Sequence, residues 1–205
     1  MKFFLFFILL SLGLSFLIDK GLDMDGLVYN SLGERFANEQ LNTAFGFYEK
    51  WRWISYAIIP IYLLLKITII ASILDIGLFF YNLDLSFKYI FNTVIKAEFV
   101  FLLILLLKFI WFFFIQTDFI LEDIQYFYPL SALNIVGHEG LQPWFIYPFQ
   151  VLNLFELAYW IILAYLIGKE LNENTDKGLS IVASSYGVGL LIWVVGVMFF
   201  TLNMS

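Results

Sequence analysis

An all-α polytopic membrane bundle with about five transmembrane helices is the fold this sequence predicts, on three observations. First, 62% of its 205 residues are hydrophobic and only 14% are charged, against roughly half and a quarter in soluble domains. A soluble fold of this size cannot hide so much apolar surface, because over half of any folded surface still faces solvent. Lipid resolves the conflict, and the 25 Phe residues suit a lipid-facing exterior. Second, five apolar stretches approach the ~20 residues that a spanning helix needs. Third, the charges collect between those stretches, with few inside them.

The stretches follow in chain order within a single membrane domain, residues 1–205. The first is 3–18, FFLFFILLSLGLSFLI, with Lys2 ahead of it. A short apolar run behind a Lys also describes a secretory signal peptide, but no good small-x-small cleavage site lies near Ser15 or Gly21, so an uncleaved helix is expected. The second is 53–75, opening WRWISYAIIPIYLLL, and the third is 97–117. The fourth is 145–168, FIYPFQVLNLFELAYWIILAYLIG. The fifth is 178–202, and no charge follows Lys177.

Two connecting segments are unusual. Residues 31–50 place Leu32, Phe36, Leu41, Phe45 and Tyr48 at near-helical spacing, which predicts an amphipathic helix lying on the membrane interface or docking a partner. The segment 119–136 holds YFYPLSALNIV, too apolar for an ordinary solvent loop. It is expected to re-enter the membrane or lie along it, bent at Pro129 and closed by Gly137, Gly140 and Pro143.

Lys and Arg favour cytoplasmic loops. Five lie on the N-terminal side of the predicted topology (Lys2, Lys88, Lys96, Lys169, Lys177) and four on the other (Lys20, Arg35, Lys50, Arg52). The loop 118–144 and the tail have none, which puts the N-terminus inside. Phe, Ile, Asn and Lys usage points to an AT-rich bacterial genome, and hence to a multi-pass protein of a bacterial inner membrane.

Three ionisable residues fall near mid-span: Lys66, Lys108 and Glu156. Each costs ~3 kcal/mol or more if it faces lipid, so each must turn inward to a partner. Equal depth in adjacent antiparallel helices predicts a Lys108–Glu156 ion pair. Lys66 is left to share Glu156, to donate to a carbonyl freed by Pro60, or to snorkel. Asp75 and Glu98 lie nearer helix ends, with Lys96 available to either. Such charges form either a structural pin or a polar pathway for an ion. In the fifth stretch, Ala183 and Gly187, then Ser185 and Gly189, are small-xxx-small pairs, and Gly196 follows. That face lets helices approach closely, within the chain or in a homodimer.

Catalytic constellations are nearly absent. The chain has no Cys, no Gly-rich phosphate loop and no basic run for nucleic acid. His138 is the single histidine, close in sequence to Glu122, Asp123 and Glu139. Zinc spacing such as HExxH is missing, so no metal or cofactor is expected and these four residues form only a weak loop site. Ser184 and Ser185 do not sit in GxSxG, and helix packing accounts for them better.

The second half carries a resemblance. An aromatic loop is followed by PFQVLNLFELAYWIILAYLIGKELNENTDKGLSIVASSYGVGLLIW (148–193), and LSFKYIFNTVIKAEFVFLL (85–103) precedes it. This order is similar to the C-terminal part of the Yip family of Rab-interacting-type membrane proteins and their bacterial relatives, over roughly 85–202. The resemblance implies a five-helix bundle without enzymatic activity. The chain departs from the family in starting a helix at residue 3 instead of after a long soluble segment. The function expected is non-enzymatic: organising or assisting a membrane complex, with the lipid bilayer and another membrane protein or a second copy as partners. The alternative is a small transporter or permease-like subunit using Lys66, Lys108 and Glu156.

Overall fold

The computed structural model describes residues 2–204, and it is helical throughout, with no strand among the described residues. Four helices are long and apolar enough to cross a membrane. The first, α1 (Lys2–Gly21), matches the first apolar stretch. A short α2 (Met24–Gly33) follows. Next comes α3 (Asn38–Phe80), 43 residues without interruption, or about 64 Å at 1.5 Å per residue. The amphipathic stretch 31–50 is therefore not a separate surface helix. From Asn38 onward it is the N-terminal part of α3, and α2 folds back against it, with Tyr29 edge-on to Phe45 at 5.1 Å. The hydrophobic periodicity was that of a helix packing on a neighbour, and nothing between residues 38 and 80 breaks it before Phe80.

The third long helix, α4 (Phe87–Ile110), runs on through a π-helical turn, Trp111–Ile115. It starts ten residues before the predicted stretch. The polar lead-in is helical because Lys88, Asn92 and Lys96 fall on one side, while Ile90, Val94, Ile95 and Ala97 are buried. Two short helices, α5 (Leu121–Tyr126) and α6 (Ala132–Val136), occupy the loop 119–136.

The fourth stretch is not one helix. It divides into α7 (Pro143–Val151) and α8 (Leu154–Glu170) at Leu152 and Asn153. Pro148 inside α7 removes a backbone donor and crowds the preceding turn. Asn153 then starts α8 afresh, its side chain accepting from the Glu156 N–H at 2.8 Å. Backbone groups freed by the break are taken up by the loop: Ala132 donates to the Leu152 carbonyl at 2.8 Å and Leu154 to the Leu130 carbonyl at 3.2 Å. The segment 128–132 thus folds back against the break. The last long helix comprises α9 (Thr175–Val182), a second π turn (Ala183–Gly187) and α10 (Val188–Met204).

The main core lies where α3, α4, α8 and α9 meet, with Phe7 of α1 added from the outer side of α4. α7 packs on α10. The outward faces carry large apolar side chains, among them Phe79, Phe80, Leu191, Ile192, Phe199 and Phe200, all more than half exposed.

At the opposite end from the α3–α4 turn, a charged clamp ties α1, α2 and α3. Arg52 bonds Asp25 at 2.5 Å and also Asp19, which accepts from the Tyr56 hydroxyl, and Lys20 reaches Asp25 at 3.1 Å. Burial works against ionisation of Asp25, but hydrogen bonds and charge from Arg52 and Lys20 prevail and hold its carboxyl below the ordinary 3.8. The folded chain then binds fewer protons than the unfolded chain near that pH. The stabilisation is complete above the unfolded value and is lost as pH falls through the lower folded one. The expected result is a thermal midpoint in detergent that drops between about pH 5 and about pH 3. Asp25→Asn should flatten that drop, and an unchanged slope would remove Asp25 from the clamp.

Candidate functional site

Depth along each helix decides which charges meet. Lys66 stands about four turns before the end of α3 at Phe80, and Glu98 about three turns after the start of α4 at Phe87. Glu156 stands about four turns before the end of α8 at Glu170. These three share one level. Lys108 is ten residues beyond Glu98 on the same helix, or about 15 Å further along.

The predicted Lys108–Glu156 pair is accordingly not formed. Lys108 instead donates to the Ile124 carbonyl of α5 at 2.6 Å. The error came from the start of α4: counting from residue 97 made Lys108 central, whereas the helix begins at Phe87. Lys66 pairs with Glu98 at 2.8 Å, and its ammonium also lies 4.5 Å from the Phe101 ring centre. None of the three partners considered for Lys66 was this one. Lys96, a candidate partner for Glu98, points away and sits over Phe3 at 5.8 Å.

Glu98 is buried, with 1% of its side chain exposed, while Lys66 retains 29%. Oε2 of Glu98 takes the lysine; the buried hydroxyl of Tyr159 lies within hydrogen-bonding reach of the Glu98 carboxylate, and neither that hydroxyl nor Oε1 has another partner. The Tyr159 ring packs on Phe101 at 5.0 Å and edge-on to Tyr186 at 5.3 Å. Tyr186 belongs to the second π turn, and its hydroxyl donates to Glu156 Oε1 at 2.7 Å. Trp160 Nε1 donates to the same oxygen at 3.0 Å. π turns occur often at functional sites because the extra residue re-aims a side chain, and here it is Tyr186 that the turn aims at Glu156. Tyr147 of α7 accepts from Trp193 Nε1 at 2.9 Å.

The site therefore joins Lys66, Glu98, Glu156, Tyr159 and Tyr186. Of these the sequence marks Lys66 and Glu156, and it places Glu98 nearer a helix end. Tyr186 gave no signal beyond its place among small residues. The tyrosines could have been found by asking which polar groups of the last two stretches fall level with Glu156.

The small-residue face is divided in its use. The side chain of Ser185 lies where a Cβ on Gly77 of α3 would stand. A Cβ on Gly187 would meet the Trp160 ring at 2.5 Å, and one on Gly189 would meet Ile73 at 3.0 Å. These three positions pack within the chain. Ala183 is exposed, and a Cβ on Gly196 would meet nothing within 4 Å, so neither belongs to that seam.

In the loop, His138 stacks on Tyr126 at 4.4 Å and its Nε2 lies 3.7 Å from Glu122. Asp123 accepts from the Ile120 N–H at 2.8 Å, and Glu139 is exposed. No group of three or more metal-binding side chains comes together among the described residues. The chain matches no family model, no curated protein and no solved structure.

Proposed function

We propose that this chain is an integral membrane protein that organises or assists a membrane complex without catalysing a reaction. The four long apolar helices cross the bilayer, and α7 with α8 makes a fifth, broken crossing alongside α9 and α10. The observation that carries the reading is how the inner charges are used. Lys66 is held by Glu98, which pins α3 to α4, and Glu156 by Tyr186, which pins α8 to the following helix, with Trp160 of α8 itself bonding the same oxygen. Buried pairs of this kind fix register better than they add stability. The outer face of α10, with no buried residue, offers an apolar surface to lipid or to another membrane protein. The likeness of 85–202 to the Yip family fits a non-enzymatic bundle, and a bacterial inner membrane with the N-terminus inside fits the composition and the Lys- and Arg-free loop 118–144.

Crosslinking in native membranes, detergent extraction and mass spectrometry of the recovered complex test this. A stoichiometric membrane partner is the expected result. Release of the chain by alkaline carbonate without detergent would defeat membrane integration, and recovery of the chain alone would defeat the accessory role.

One observation favours a second reading, a small transporter. Two carboxylates, Glu98 and Glu156, stand within electrostatic reach of each other and of the single lysine Lys66, which a purely structural pin does not need. In that reading Lys66, Glu98 and Glu156 are the working set, and Lys108, held at the far end of α4, drops out.

A further inference from the structure

The basic residues at the α1–α2 end of the bundle are nearly all committed. Of the four there, Arg52 and Lys20 are bound to Asp19 and Asp25, and Lys50 lies over the Trp51 ring at 5.7 Å. The side chain of Arg35 alone has no partner among the described residues. It lines a cavity of about 450 Å³ between α2 and α5, within the roughly 300–1,000 Å³ of small-molecule sites. The rim of this cavity is polar. Asn30, Glu34 and Gln125 stand there exposed beside Arg35, and none of their side chains bonds another group among the described residues. Glu122 of α5 completes the rim. The floor is apolar: Leu27 and Phe119 line it and pack on the small core of Leu22, Phe112 and Ile124.

An independent observation sets the height of the cavity. A Cβ on Gly21, at the end of α1, would meet the Phe109 ring at 2.6 Å, and Asp19 bonds Arg52. The end of α1, the last turn of α4 and residue 52 of α3 therefore share one level. Trp51, Trp53 and Trp111 are exposed at that level, an aromatic belt of the kind that marks a membrane–water boundary. α2 starts directly beyond α1, and α5 follows the π turn after a short loop, 116–120. The cavity thus opens just outside the belt, where lipid headgroups lie.

We propose that this cavity binds the headgroup of a zwitterionic phospholipid with a primary ammonium, phosphoethanolamine, its phosphate on Arg35 and its ammonium on Glu122 and Glu34. This rests on the membrane integration inferred above and not on the accessory role. A guanidinium takes a phosphate through paired N–H donors, and the Asn30 and Gln125 amides add neutral ones. The two carboxylates decide the class. A purely anionic headgroup would gain Arg35 but press against both acids, whereas a zwitterion gives each sign its counter-charge. An ammonium with N–H donors bonds the carboxylates, which a trimethylated one cannot do. The floor at Leu27 and Phe119 takes the glycerol and the first methylenes.

The test is native mass spectrometry of the delipidated full chain in detergent, titrated with phosphatidylethanolamine, phosphatidylcholine and phosphatidylglycerol of the same acyl chains. Phosphatidylethanolamine should bind about tenfold tighter than the other two, the worth of one charge-assisted hydrogen bond. Arg35→Gln should weaken it about tenfold, and Glu122→Gln should narrow its lead over phosphatidylglycerol. Lys50→Gln, outside the cavity, should change neither. Arg35 is exposed and without a partner, so its variant should keep the thermal midpoint of the parent, measured alongside. Equal binding of the three lipids, or a phosphatidylethanolamine affinity unmoved by Arg35→Gln, overturns the site. Soluble glycerophosphoethanolamine separates the sources. Displacement of the lipid only at far higher concentration is the expected result, and binding as tight as the lipid would give the cavity to a soluble zwitterion and overturn the lipid. Release of the chain by alkaline carbonate defeats membrane integration and the lipid site together; a carbonate-resistant chain indifferent to the headgroup defeats the site alone.

Discussion

Lys66→Met should destabilise the protein by about 3–5 kcal/mol, the usual cost of removing one partner of a buried pair, and more than Glu98→Gln does. The asymmetry follows from burial. Removing the lysine leaves Glu98, 1% exposed, as an uncompensated carboxylate with no water to reach. Removing the carboxylate leaves Lys66, which is 29% exposed and can extend its ammonium along its stem toward the edge of the bundle. It also keeps its contact with the Phe101 ring, so Glu98→Gln should cost about 1–3 kcal/mol. The double variant Lys66→Met, Glu98→Met removes both charges and should recover most of the loss, because an apolar pair of similar volume often does as well as a buried ion pair. Unfolding of the purified protein by SDS titration at constant detergent reads all three. Equal losses for the two single variants, or a double variant as unstable as the sum, would show that the pair is not the coupled unit described here.

That pairing also shows what the sequence could and could not reveal. The long apolar helices were legible because hydropathy depends on composition over ~20 residues and little else. The cost of charge in lipid marked Lys66 and Glu156 as needing partners, which here are Glu98 for the first and Tyr186 and Trp160 for the second. Partner choice was not legible, since it depends on depth, and depth depends on where helices begin. The stretch LSFKYIFNTV reads as interfacial by hydropathy, but Ser86 starts α4 there and moves its centre to Glu98. The break at Leu152–Asn153 was hidden in the same way: Pro148 and Asn153 lie in an unbroken apolar run, and only the loop that supplies their hydrogen bonds makes the break affordable. The segment 119–136 drew notice for its apolar content, and part of it, 130–132, supplies the hydrogen bonds at that break. The small-residue argument found the seam at Ser185, Gly187 and Gly189 but extended it one position too far at each end. Small residues permit close approach, and only the opposing helix determines which of them are used.

Among the glycines, the one with least room for a side chain is one that the small-xxx-small pattern did not single out. Gly178→Ala should destabilise the protein by about 1–3 kcal/mol, the range for forcing an extra methyl into a packed interior, while Gly196→Ala should be neutral or stabilising by a few tenths to ~1 kcal/mol. Gly178 sits in the first turns of α9, and a Cβ there would overlap the backbone carbonyl of Ala164 on α8. The obstacle is main chain, so no rotamer change relieves it; α8 and α9 must separate. Those two helices make the most extensive packing in the fold, held at the turn by Asn174, which accepts from Lys177 N–H at 2.8 Å, and by Gly168, whose added Cβ would stand 2.7 Å from the Asn174 carbonyl. Separation would also move Tyr186, three turns or less along the same helix, from Glu156. Gly178→Ala should therefore lower stability, whereas Gly196→Ala, with open space around its position, should not. If Gly178→Ala proved as stable as the parent, α8 and α9 would not be in backbone contact at Ala164, and the level shared by Tyr186 and Glu156 would need another support.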